Sequence, residues 1–140
     1  MSAELPVESL LRVAQEDLAG ARALAAIGNR NAIYLAEQAA EKVIRAVLTA
    51  ERKHAGISHR LSDMVDMVSA ESPLLPALRA IQDLSAYATA YRYPSPAGRI
   101  PPSPDPARFE DFAQKVAFAL TAAADQFGAD LARSSPTRRS

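Results

Sequence analysis

A chain of 140 residues has the size of one ordinary domain. Its 16 basic and 16 acidic side chains cancel to a net charge of zero. That argues against a dedicated nucleic-acid coat but leaves room for a local basic patch. There is no Cys, which excludes disulfides, thiolate metal sites and Cys nucleophiles. The hydrophobic fraction is 49%, with Ala a large contributor, while aromatics are 6% and Trp is absent. Ala-rich helices approach closely, and a core without large anchors gains buried area by oligomerising. Residues 1–6 contain neither a basic n-region nor an apolar h-region, and no long uncharged apolar run occurs. A cytoplasmic protein with no membrane span is therefore expected.

The first helix is expected from about Pro6 to Gly28. Val7, Leu10, Leu11, Ala14, Leu18, Ala21 and Ala25 recur at spacings of three and four, with Arg12, Glu16, Asp17 and Arg22 between them. Gly28-Asn29 is a stop followed by a turn, and Asn29 or Asn31 can cap the next helix. That second helix, from Asn31 to about Lys53, carries Ala32, Leu35, Ala36, Ala39, Val43, Ala46, Val47 and Ala50 on one face. Ile33, Ala40, Ile44 and Leu48 widen the face to more than half the circumference, beyond an ordinary amphipathic stripe. This helix should therefore be central to the bundle or shared with a dimer contact. Tyr34, Gln38, Glu41, Lys42, Arg45, Thr49 and Arg52 form the remaining polar stripe.

A short third helix is expected from about Arg60 to Ala70 with Leu61, Met64, Val65 and Val68 inward, and a fourth from Leu74 or Leu75 to Tyr91 with Leu78, Ile81, Leu84, Ala88 and Tyr91 inward. Six of the 14 residues from Tyr93 to Pro106 are Pro. This stretch cannot be helical and reads as a surface crossover of polyproline II character. Asp105-Pro106 then starts a last helix with Phe109, Phe112, Ala113, Val116, Leu120, Ala123, Phe127 and Leu131 at helical spacing. The pattern is all-α: a four- to five-helix up-and-down bundle over residues 1–132 with the Pro-rich crossover before the last helix. Residues 133–140 lack an apolar anchor and read as a disordered tail.

The run from Asn31 to Leu48, with Gln38-Ala39-Ala40-Glu41-Lys42 at its centre and Ala46 and Leu48 after it, resembles the signature helix of HEPN domains (higher eukaryotes and prokaryotes nucleotide-binding). Asp17-Leu18-Ala19, Ser58-His59-Arg60-Leu61 and Tyr91-Arg92-Tyr93-Pro94 fit the same family in the right order, so the resemblance spans roughly residues 9–130. It implies a small helical bundle, usually a homodimer, often paired with a minimal nucleotidyltransferase. Many relatives are ribonucleases of toxin–antitoxin and defence systems that carry an Arg, four to six spacers and a His; others lack the motif and serve as binding or partner modules.

Such ribonuclease chemistry needs a cation for phosphate charge and a His to move the proton. Four to six spacers after Arg92 lead to Ala97, Gly98 or Arg99, and no His follows. Arg52 and His59 match the spacing literally, but after the second helix. The remaining candidates each have two readings. Glu41 and Arg45 can be a surface ion pair, or Lys42, Arg45 and Arg52 a phosphate-facing stripe. His59 can cap a helix or bind a ligand. Arg92 can stack between Tyr91 and Tyr93 or contact nucleotide, RNA or protein. His54, His59 and Glu51 cannot share one face as metal ligands, and no cofactor is implied. The expected working surface is therefore Glu41, Lys42, Arg45, His59, Arg92 and Tyr93, in a module that binds nucleotide, RNA or a nucleotidyltransferase-like partner, with no catalytic set. An RNA-cleaving toxin using Arg52 and His59, or a purely structural oligomerisation bundle, are the alternatives.

Overall fold

The computed structural model describes residues 4–57 and 60–132. Six helices appear among them and no strand: α1 (Leu5–Ala26), α2 (Asn31–Ala50), α3 (Leu61–Asp66), α4 (Leu75–Ile81), α5 (Leu84–Arg92) and α6 (Pro106–Phe127). The all-helical bundle read from periodicity is the fold observed. The expected tail, 133–140, lies outside the described residues.

The ends follow local chemistry. Pro6 sits in the first turn of α1, where its missing N–H costs nothing. Gly28 adopts φ 70° after α1, and the Asn29 amide returns to the Leu24 carbonyl at 2.9 Å. The Asn29 side chain then accepts from the Asn31 amide at 2.8 Å in a turn that leads into α2, whose N-cap position is held by Arg30 without a side-chain cap rather than by Asn29 or Asn31. Asp105 caps α6 by accepting from the Arg108 amide, and Gly128 closes that helix at φ 68°.

α2 is the centre. Its residues Ala32, Ile33, Ala36, Ala39, Ala40, Val43, Ile44, Ala46, Val47 and Leu48 are all buried. It packs most extensively on α1 and also meets α3, α5 and α6. The α1–α2 approach is close at Gly20, where a Cβ would come within 3.1 Å of Leu35 Cδ1. A helix touched on most sides needs a wide apolar arc, which accounts for its sequence.

Four boundaries differ from expectation. α6 ends at Phe127, short of Leu131, because Gly128 turns to φ 68°. α2 stops at Ala50 because Arg52 turns to φ 60° and the Lys53 amide bonds back to the Leu48 carbonyl at 2.8 Å. α3 stops at Asp66 because the Ser69 amide is taken by the Glu51 carboxylate, at 3.0 Å, instead of by a helical carbonyl. The single fourth helix is two helices, α4 and α5, parted at Gln82-Asp83. Both flanking core residues, Ile81 and Leu84, are fully buried, so the break lets the chain bend while both stay inward. Arg12, expected among the outward residues of α1, is buried beside Glu8 at 2.9 Å, under the chain that follows α6. No helix among the described residues is long and apolar enough to cross a membrane.

Candidate functional site

The polar stripe of α2 is largely committed to internal partners. Lys42 Nζ lies 2.6 Å from Asp17 of α1, and 3.5 Å from the Gln38 side chain. Arg45 Nε donates to Glu41 one turn back at 2.8 Å. All four charged groups are only partly exposed; the first pair ties α2 to α1 and the second lies within α2. Arg45 also borders a small cleft of about 190 Å³ with Thr49, Lys53 and His54. Lys53 itself is held by Glu51 at 3.0 Å and the Met67 carbonyl at 2.7 Å.

The opposite end of α2 is built differently. Arg30, just before the helix, donates from Nη1 to the Tyr91 carbonyl at 3.0 Å and so ties α2 to the end of α5. Arg30, Asn31, Tyr34, Ala88 and Tyr91 line a cavity of about 250 Å³. Behind it stands an aromatic cluster. Tyr91 meets Tyr87 edge to face with centroids 5.2 Å apart, and Tyr87 stacks on Phe112 of α6 at 4.9 Å. The Arg108 guanidinium lies 4.3 Å from the Tyr87 ring centroid. Burial pushes the Tyr87 phenol up to about 12, with neighbouring Tyr91 adding to the shift. Its hydroxyl finds no hydrogen-bond partner among the described residues.

Charge pairing separates the two ends. Lys42, Arg45, Arg52 and Lys53 each face a carboxylate, as do Arg12, Arg22, Arg79 and Lys115. Arg30, Arg60, Arg99 and Arg108 have no such partner among the described residues. Arg30 and Arg108 flank the tyrosines, and Arg99 lies in the crossover joining α5 to α6.

The expected surface is thus not one cleft. Glu41, Lys42 and Arg45 sit along α2, where Lys42 reaches Asp17 across the α1–α2 seam, while Tyr93, 65% exposed, follows the end of α5 beside Arg30. A rise of 1.5 Å per residue puts Arg45 roughly 20 Å along α2 from Arg30. His59 lies outside the described residues, and so does the Arg92 side chain, although its backbone ends α5. Arg52 is turned outward, its side chain 84% exposed and 3.9 Å from Glu4. No group of three or more His, Cys, Asp or Glu suited to a metal occurs among the described residues.

The family model described as the HEPN domain matches residues 7–119. The chain belongs to the HEPN family. No curated protein and no solved structure matched it. This HEPN domain carries features that residue patterns did not single out. Glu37 is only 6% exposed on the signature helix and borders a polar cleft of about 420 Å³ with Arg60, Ser62, Asp83 and Ser85. Tyr87 was not singled out, although its spacing of one turn from Tyr91 on α5 is a local signal that could have found it. Their association with Arg30 and Arg108 joins segments far apart in sequence and had no local signal.

Proposed function

We propose that this HEPN domain is a non-catalytic binding module for a phosphate-bearing ligand, nucleotide or RNA. Its working face would be the end of the bundle where α2 begins and α5 ends. The observation that carries this is the distribution of pairing: Lys42 and Arg45 of the stripe are neutralised by Asp17 and Glu41, whereas Arg30 and Arg108 stand beside tyrosines with no carboxylate partner among the described residues. An unneutralised guanidinium beside aromatic rings suits phosphate and base together. The missing His after Arg92 favours binding over cleavage. Membership of the family supports a homodimer and a nucleotidyltransferase-like partner protein. Exposed Ile27, Tyr93 and Ile100 offer apolar surface for such contacts.

Incubating the purified chain with total RNA and with ATP tests the reading. Retarded but intact RNA, or saturable ATP binding, is expected. Cleavage above a no-protein control, or no binding of either ligand, overturns it.

A further inference from the structure

We infer that the cavity between Tyr34 and Tyr91 is a slot for one nucleobase, with the attached phosphate directed toward Arg30. This rests on the binding reading above and goes further by naming the subsite and the unit it takes.

The cavity is small. At about 250 Å³ it falls below the roughly 300–1,000 Å³ of clefts that hold drug-sized ligands. It therefore suits a single flat ring system. Its wall is braced: Tyr91 packs on the Tyr87 ring, Tyr87 on Phe112, and the Tyr91 carbonyl accepts from Arg30. A braced ring offers stacking surface without the entropy of ordering it on binding. Tyr34, 46% exposed, stands at the mouth, where its ring can cover an inserted base.

Arg30 also lines a second cleft of about 350 Å³, together with Asn29, Asn31 and Ser103. The two clefts share Arg30 and Asn31 in their walls, which places the second cleft next to the slot. The second is polar and bounded by the crossover, which is pinned there by a hydrogen bond from the Ser103 hydroxyl to the Gly28 carbonyl. The α2 N-terminus is not what recruits the anion, because the Asn31 amide is already taken by the Asn29 side chain. The charge comes from Arg30, which makes one hydrogen bond, to a neutral carbonyl, and faces no carboxylate among the described residues. A planar guanidinium next to a ring slot selects a planar base carrying a phosphate over phosphate alone. The same unit is available from a free nucleotide or from single-stranded RNA.

Tyrosine fluorescence quenching reads the test, since the chain holds four Tyr and no Trp. Adenosine monophosphate and a short single-stranded oligoadenylate are the probes, with inorganic phosphate as competitor. Tighter binding of the mononucleotide marks the free nucleotide as the source; tighter binding of the oligomer marks RNA. Tyr34→Ala and Arg30→Gln should each weaken binding roughly tenfold, in line with the loss of one base stack or one charged contact. Tyr34→Phe should stay within about twofold, because stacking needs the ring and not the hydroxyl. Arg79→Gln, a surface change on α4, should leave binding unaltered, and circular dichroism checks that each variant folds. Nucleotide binding that survives Tyr34→Ala, or is competed equally well by inorganic phosphate, overturns the slot while leaving the broader reading intact. A folded wild-type chain that binds neither probe overturns both.

Discussion

The two ends of α2 use the same residue types for different ends. Along α2, Lys42 meets Asp17 of α1 and Arg45 meets Glu41 one turn back on the same helix, so the first pair ties two helices together and the second neutralises a cation within one. At the start of α2, Arg30 bonds a carbonyl and faces no carboxylate among the described residues, and Arg108 lies on a tyrosine ring. A cation opposite a carboxylate has little field left for an external anion, whereas one lying on a ring keeps its net charge. Positive charge on a helix therefore says little about binding until its partner is known.

That contrast can be broken by mutation. The largest effect belongs to the core beneath the seam: Ile44→Ala, at a fully buried position, should cost about 2–5 kcal/mol in urea unfolding. A cost below about 1 kcal/mol would show that α2 is not the centre of the bundle.

Alkali tests the aromatic end. The folded Tyr87 phenol sits near 12, above its ordinary 10.0. The folded state therefore holds its proton while the unfolded chain loses it, so stability is full below pH 10 and falls as pH rises from 10 toward 12. The loss should approach about 2.7 kcal/mol at most. Tyr87→Phe should remove that slope, checked by unfolding against pH with tyrosinate absorbance alongside. An unchanged slope would place the cause elsewhere.

The seam and the open end should then separate directly. Lys42→Ala should destabilise by about 1 kcal/mol, since it strips a half-buried partner from Asp17. Arg30→Gln should cost less, because it leaves no carboxylate unpaired. Equal losses would erase the distinction between the two ends. Smallest, and of opposite sign, is Arg52→Gly. Arg52 holds φ 60°, a conformation that costs an L-residue about 1 kcal/mol. The substitution should raise stability by about 0.5–1 kcal/mol, read as a higher denaturation midpoint.

Much of the fold was legible because helical burial is periodic. The inward sets of α1, α2 and α6, the Gly28-Asn29 turn and the Asp105-Pro106 start each depend on residues within a few positions of one another. The break at Gln82-Asp83 was not legible, since neither residue is a helix breaker; bending there is set by what Ile81 and Leu84 must pack against. Arg12 was misplaced, and Glu37 was assigned to no face, for a related reason. A charged residue reads as outward, yet each lies where another helix or loop covers it.

The sequence by itself determined the helical elements, the dominance of α2 and the family, all written in spacing and in the run from Gln38 to Lys42. It also determined that no His follows Arg92. Only the tertiary structure decided which cations are neutralised. Lys42 finds Asp17 across 25 residues, and Arg30 reaches Tyr91 across 61. Pairing between distant segments depends on how helices dock, and docking is a property of the whole core.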